Sequence, residues 1–518
     1  MLFADQGRLT SSFPAMTVTV LTVIVALCWA LARLLLRRAP YPPGPPISSL
    51  ISGNRSQVPS IKPWLTYVEW GKLYGNLIHY RTYSQHVIVL NSLEDALELL
   101  EKRSYISSGR PYVPMFKLMG WDFNVTLMAY SDSWRSHRRL LQHGLRPDAV
   151  TAYRFVQKRK IGDLLFGLLR APDQFMNLYR FLSTSIIMSA IYGYEFSASN
   201  DKFVRLAGEL EEQVRKLGSP EEALVNWVPL LRFVPVWFPG AKFKQSAHKV
   251  KFILDKLQEL PFRFAMENMA AGTSAPCVVA DLLENYPSHA EHEVIKRVAA
   301  SSYSAGIDPT SSALGTFFLA MASFPEIQKR AQEMLDAVIG PDRLPDFDDR
   351  PSLPYLEAIT REIFRWRPVL PLSVPHSATE DIMFKGFLIP KGATIFANIW
   401  AMTRDETKYD QPDFFNPNRF FDDNGELNDD ELPSFGFGRR ICPGRYMASG
   451  TIWLCIASVL SMFNITKKKD QDGNIIHLQG EYMTTGGLAS HPIPFECSIT
   501  PRSPEARRLI EEAMSIRS

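Results

Sequence analysis

The sequence predicts a mainly α chain with a minor β lobe, preceded by one N-terminal transmembrane helix. Three observations carry this. Helical periodicity dominates from about Val156 to Arg367. Short runs rich in β-branched and aromatic residues, Leu77-Ile-His-Tyr-Arg81, His86-Val-Ile-Val-Leu90 and Thr394-Ile-Phe-Ala397, sit nearer the two ends. The segment from Leu9 to Ala32 carries no charge.

That uncharged run sets the first domain, residues 1–39, with a membrane helix at about 13–32. Its length matches the roughly 20 residues that a bilayer core requires. Arg33, Arg37 and Arg38 follow it at once, and the basic flank predicts a cytosolic body on a single-pass anchor. A cleaved signal peptide is the competing reading, with Ala30-Leu-Ala32 as its cleavage site; the apolar run is long for one and continues beyond Arg33 into Leu34-Leu-Leu36. Residues 40–47 form a hinge, because Pro40-Tyr-Pro-Pro-Gly-Pro-Pro46 cannot continue a helix and reads as a stiff extended spacer. The remaining residues, 48–518, contain no repeat or linker and are read as one catalytic domain.

Composition narrows the function classes. A chain of 518 residues with 46% hydrophobic and 12% aromatic content is not disordered. A net charge of +3 gives no argument for nucleic acid as a partner. The cysteines, Cys28, Cys277, Cys442, Cys455 and Cys497, are scattered with no C-x-x-C pair, which argues against a disulfide framework or a zinc site.

Cys442 stands apart because of its surroundings, Phe435-Gly-Phe-Gly-Arg-Arg-Ile-Cys442-Pro-Gly444. Gly436, Gly438 and Gly444 permit backbone conformations closed to other residues and a close approach to a flat ligand. Pro443-Gly444 suits the start of a helix, whose N-terminal N–H groups favour a thiolate. Arg440 offers a planar fork for a carboxylate. Taken alone, the thiol fits a buried structural cysteine as well as an iron ligand.

The F-x-x-G-x-R-x-C-x-G spacing of the whole decapeptide resembles the haem-thiolate signature of the cytochrome P450 superfamily at every fixed position. The resemblance extends over nearly all of the chain after the anchor and implies the cytochrome P450 fold. It implies haem b as cofactor, with Cys442 as axial iron ligand and Arg440 at a propionate. Four further constellations occur in the family's order. Glu362-Ile-Phe-Arg365 places a carboxylate and a guanidinium on one helix face, and with Arg419 resembles the family's buried ion triad. Trp134 and Arg138, at i and i+4, and His376 in Val374-Pro-His-Ser377 resemble its propionate donors.

The fourth constellation, Ser304-Ala-Gly-Ile-Asp-Pro-Thr-Ser-Ser312, departs from the pattern. Asp308 matches the acid that the family uses to feed protons toward bound dioxygen, but the threonine that usually follows it is Pro309. A proline there predicts a kinked or widened helix. Thr310 is the candidate substitute hydroxyl, with Ser311, substrate or ordered water as alternatives.

By resemblance the chain is a membrane-bound fungal monooxygenase of specialised metabolism, located in the endoplasmic reticulum membrane with its catalytic domain in the cytosol. It inserts one oxygen atom into an apolar small molecule of terpenoid, polyketide or alkaloid type. A haem-thiolate isomerase or dehydratase that needs no dioxygen is the alternative. The 76 residues after Cys442 are too few for flavin domains. Electrons are therefore expected from NADPH-cytochrome P450 reductase, with cytochrome b5 as a second carrier, docked through Arg135, Arg139, Arg439 and Arg445. Leu118, Trp121, Phe123, Ala305 and Thr485 fall where the family's substrate-facing segments lie.

Overall fold

A computed structural model describes residues 22–26, 40–196, 201–217, 224–238, 240–429, 432–478, 480–485 and 489–515. The anchor at 13–32 lies outside these apart from 22–26, and among the described residues no helix is long and apolar enough to cross a membrane.

The longer helices are α1 (Pro63–Tyr74), α2 (Asp132–Leu145), α3 (Arg154–Arg170), α4 (Phe175–Tyr192), α5 (Lys202–Leu217), α6 (Lys242–Ala270), α7 (Val278–Asn285) and α8 (His289–Ser323). They continue with α9 (Pro325–Val338), α10 (Pro354–Trp366), α11 (Arg445–Met462) and α12 (Pro504–Ser515). The helical stretch expected from Val156 to Arg367 is thus α3 to α10. Local chemistry sets several starts. Proline occupies the first helical position of α1, α9, α10 and α12, where its missing N–H costs nothing. Ser131 caps α2 by accepting a hydrogen bond from the Trp134 N–H at 3.2 Å.

α8 is the axis of the domain. From Thr310 to Ala322 every residue is buried, so this half has no polar face and behaves as core on all sides. It packs with α3, α4, α9, α10 and α11 around Tyr179, Phe317, Phe318 and Trp453. Its other half crosses α4 closely at Gly306, where a Cβ would lie 2.6 Å from Ile187 Cδ1.

The three strand-like runs become β1 (Leu77–Thr82), β2 (Gln85–Leu90) and β6 (Thr394–Ala397), and all three join one sheet. Between them in sequence come β3 (His376–Ser377), β4 (Ile382–Phe384) and β5 (Phe387–Ile389). The sheet order is β1-β2-β6-β3, with β2 and β6 parallel and the other pairs antiparallel. β4 and β5 form a hairpin. Two further antiparallel pairs lie C-terminal: β7 (Phe463–Lys467) with β10 (Cys497–Pro501), and β8 (Tyr482–Thr485) with β9 (Ala489–Pro492).

The hinge is fastened to this sheet and is no free spacer. Its prolines cannot donate, but its carbonyls accept: His79 N–H donates to Pro43 O at 2.9 Å and Leu388 N–H to Pro40 O at 2.9 Å. Asn54 Nδ2 donates to Pro46 O at 2.9 Å. Gly44 is required by contact, since a Cβ there would stand 1.8 Å from the His79 carbonyl oxygen. Tyr41 stacks on His79 with ring centroids 4.8 Å apart and lies 5.0 Å from His86.

Burial, then the neighbouring His86 and Arg81, push the His79 pKa down to about 4. Between pH 6.5 and about 4 the unfolded chain takes up a proton there that the folded chain refuses, so stability falls as pH falls through that window. The slope from this residue is at most about 1.4 kcal/mol per pH unit. His79→Phe, which keeps the stacking on Tyr41, will flatten it, as read from denaturant midpoints between pH 7 and 4.5.

Candidate functional site

Cys442 lies between a short 3-10 turn, Gly438–Arg440, and the start of α11. Two glycines shape the loop. Gly436 has φ 78° and Gly438 φ 50°, left-handed conformations that favour glycine, and a Cβ on Gly438 would sit 2.4 Å from Leu100 O. Gly444 does not share this role. Its φ is −83°, and its service is proximity, a Cβ there reaching 3.9 Å from the Cys442 sulfur. The Cys442 N–H donates to Phe435 O at 2.8 Å and Arg445 Nη1 donates to Cys442 O at 3.0 Å, so the loop is closed on both sides of the thiol. Burial raises the thiol's pKa, opposed by the Gly444 N–H and the charges of Arg138 and Arg445.

Across a cavity of about 520 Å³ stands α8, which contributes Ala305, Gly306, Asp308, Pro309 and Thr310 to the wall. The helix assignment is continuous through Pro309. The Ala305 carbonyl there loses the donor four residues on. Thr310 does reach the cavity wall, but its Oγ1 donates back to Gly306 O at 3.0 Å. Ser311 Oγ likewise donates to Ile307 O at 2.9 Å. Asp308 Oδ1 lies 2.9 Å from Nε2 of His491 on β9, a pairing the sequence gave no sign of.

Basic groups converge at the edge of the cavity. Arg138, Arg440, His376 and the sequence-silent Arg110 all line it, beside Trp134. Arg110 donates to Thr126 O, Val374 O and Pro375 O at 2.7 to 2.8 Å. The Arg440 fork is committed to the backbone, to Ser108 O at 2.9 Å, Val125 O at 3.2 Å and Met128 O at 2.8 Å, and its guanidinium lies 4.2 Å over the Trp134 ring. His376 Nδ1 faces Ser107 O at 3.0 Å; a carbonyl only accepts, so Nδ1 carries the proton and Nε2 is left for the cavity.

None of Arg110, Arg138 and Arg440 is paired with a carboxylate of the described residues. The consequence shows in their protonation. Burial and then Arg138 bring Arg440 down to about 9, burial and Arg440 bring Arg110 well down, and burial followed by Arg110 holds His376 far below the usual imidazole range. Buried cations without counter-charge are costly. Haem b fits this chain: its two propionates would supply the missing anions at Arg110, Arg138 and Arg440, and its iron would take the Cys442 sulfur, while His376, neutral with its proton on Nδ1, adds no charge to that edge.

The ion triad is present and buried. Arg365 Nε donates to Glu362 Oε2 at 2.7 Å and Nη2 to Oε1 at 2.8 Å, with both side chains at 0% exposure. Arg419 Nε reaches Glu362 Oε1 at 3.3 Å. The arginines spend their other donors on the carbonyls of Thr403, Pro412, Phe414 and Asp410. One carboxylate on α10 therefore fixes the long segment that leads to the Cys442 loop.

Of the expected substrate residues, Trp121 and Ala305 line the cavity. Leu118 and Phe123 do not. They pack with Met115 and Met119 against Val250 and Leu254 of α6, while Phe116, Asn124 and Val125 supply wall in their stead. The Thr485 side chain lies outside the described residues. Asn124 Nδ2 donates to Ser304 Oγ at 3.2 Å, and the Val125 N–H donates to Ser301 Oγ at 3.2 Å, tying this loop to α8. On the outer surface Arg135, Arg139, His143 and Arg146 line a basic recess that shares Arg138 with the cavity.

The Cytochrome P450 family profile matches residues 42–496. The chain is 39% identical over 483 residues to Cytochrome P450 monooxygenase COX2 of Coprinopsis cinerea, covering 91% of each chain. It is 39% identical to Cytochrome P450 monooxygenase ple1 of Rhodocybe pseudopiperita, covering 90% of this chain and 91% of that one. With Cytochrome P450 monooxygenase claR of Ampulloclitocybe clavipes the identity is 34%, covering 97% and 94%.

Glu362→Leu strands Arg365 without its carboxylate and will cost about 3–5 kcal/mol. The triple variant Glu362→Leu/Arg365→Met/Arg419→Met will recover a large part of that loss, because both arginines that the carboxylate met are then gone. Urea unfolding of the haem-loaded proteins measures both.

Proposed function

The chain belongs to the cytochrome P450 family and is a monooxygenase with haem b as cofactor, and from that premise we propose its reaction: insertion of one oxygen atom into an apolar terpenoid, polyketide or alkaloid of fungal specialised metabolism. The observation that carries the substrate class is the cavity wall over Cys442, where Phe116, Met119, Ile187, Val369 and Leu370 leave few polar groups to meet a ligand.

When bound, haem supplies dioxygen activation, which a thiolate ligand favours. The chain supplies the rest. The closed loop presents Cys442, the arginine edge holds the propionates, and Asp308 stands on the opposite wall as the proton-handling group. The apolar wall orients substrate and limits water.

We assign electron delivery to NADPH through a separate reductase, with cytochrome b5 as an accessory carrier. The recess lined by Arg135, Arg139, His143 and Arg146 supports an acidic partner chiefly through Arg139, since Arg135, His143 and Arg146 already face Asp132, Asp281 and Asp148. Arg439 and Arg445 lean on Tyr130 and Tyr446. We also place the protein on the endoplasmic reticulum membrane with its body in the cytosol. Trp237 at 80% exposure, with Leu230 and Phe233 beside it in sequence, and Leu50 and Ile51 just after the hinge, are large apolar side chains that water does not favour. A haem-thiolate isomerase or dehydratase is the second reading, favoured by Pro309 in place of the usual hydroxyl.

The test is expression in microsomes with a fungal reductase, feeding of terpene and polyketide candidates, and mass spectrometry under isotopically labelled dioxygen. The expected outcome is an NADPH-dependent product heavier by one labelled oxygen. Conversion that proceeds without dioxygen and NADPH overturns the monooxygenase reaction in favour of the second reading.

A further inference from the structure

We propose that His491 is the positioning residue for Asp308, and that this carboxylate–imidazole pair takes the place of the hydroxyl that Pro309 removes. The inference rests on the monooxygenase reading above.

Asp308 and Ser312 are one turn apart on the same face of α8. Both are joined to consecutive residues of β9. Ser312 Oγ donates to Ser490 O at 2.5 Å, and His491 Nε2 lies 2.9 Å from Asp308 Oδ1. The strand itself has little freedom. The Ser490 N–H donates to Val369 O at 2.9 Å, His491 pairs in register with Met483 of β8, and Pro492 rests where a Cβ on Gly315 would be 3.0 Å away. The imidazole is thus delivered to Asp308 by a fixed strand, and its position is set by tertiary contacts on both sides.

Exposure separates the two partners. The His491 side chain is 4% exposed and the Asp308 side chain 52%, and Asp308 lines the cavity. The imidazole therefore holds the carboxylate from the protein side while the carboxylate opens toward the reacting space. The hydroxyls that follow are turned away from this work, since Thr310 and Ser311 both donate to carbonyls one turn back. Asp308 takes a proton from solvent water on its exposed side and passes it to a water in the cavity, regaining its charge for the next transfer. His491 acts only by orienting the acid.

Two variants and two readouts test the assignment. His491→Leu removes the imidazole; His491→Gln retains an N–H that can reach a carboxylate but has no ring to relay a proton. With reductase and a turned-over substrate, His491→Leu will raise peroxide released per NADPH by about fivefold or more, within the range of a misplaced general acid, and His491→Gln will stay within about twofold of wild type. In the reduced, carbon-monoxide-bound holoprotein, the C–O stretching band will shift in His491→Leu and in Asp308→Asn but hold its wild-type position in His491→Gln. His491→Leu that matches wild type in both readouts overturns the proposal. So does His491→Gln as uncoupled as His491→Leu, because the proton would then travel through the imidazole. The carbon-monoxide band needs no turnover, so a wild-type protein that consumes no NADPH counts against the monooxygenase reading while the pair is still read directly.

Discussion

Three guanidiniums, Arg110, Arg138 and Arg440, are brought to one edge of the cavity with no carboxylate of the described residues beside them, and the architecture of the site follows from that imbalance. Buried like charges repel, and desolvation penalises each. The protein tolerates them by giving two of the three dense carbonyl contacts: Arg110 meets three backbone oxygens and Arg440 another three. Those contacts do structural work, because the carbonyls belong to the loop from Ser108 to Met128 and to the segment before β3. A dianionic ligand that enters this edge relieves the repulsion and at the same stroke tightens the loops that frame it. Cofactor binding and folding of the walls are therefore coupled through charge.

The opposite problem, a buried anion, is solved on the other side of the Cys442 loop. Glu362 receives donors from Arg365, Arg419 and the Asn416 N–H, the last at 2.8 Å, so its charge is fully met. The remaining donors of the two arginines fall on carbonyls between Thr403 and Phe414. A single helix position thereby fixes a stretch of chain with little regular structure of its own. Rigidity here is what lets the thiol keep its place.

Much of this was legible in the sequence, for a physical reason that also marks the limit. Elements whose signal is local were readable: three short β-rich runs became three strands of one sheet, the long helical stretch became α3 to α10, and the Gly436 and Gly438 spacing announced a left-handed loop. Features whose meaning lies in a distant partner were silent. Arg110 finds its acceptors more than 260 residues away at Val374 and Pro375, and His491 meets Asp308 from a short terminal strand. Leu118 and Phe123 failed for another reason. Each lies at the end of a helix only five or three residues long, where helical phase cannot be counted, and neighbours a residue or two away face the cavity instead. The contacts of the hinge were silent for a third reason: proline is a missing donor, while its carbonyls remain good acceptors for distant N–H groups.

Pro309 shows how a locally unfavourable residue can persist. Within an isolated helix it would cost about 3 kcal/mol. In α8 the following turn is enclosed by α4, α10, α11 and β9, so a bend there would open the core, and the Ala305 carbonyl loses its donor. The substitution moves the control of the distal wall from the helix to the contact between helix and strand. A hydroxyl on α8 would be placed by the helix alone, whatever β9 did. A carboxylate held by His491 is placed only as well as β9 is docked, and that docking runs through Ser312, Ser490 and the bond from the Ser490 N–H to Val369, itself part of the cavity wall. The groups that would touch substrate and the group that would manage its proton are in this way joined by two hydrogen bonds, so a ligand that displaces the Val369 segment also acts on the position of Asp308.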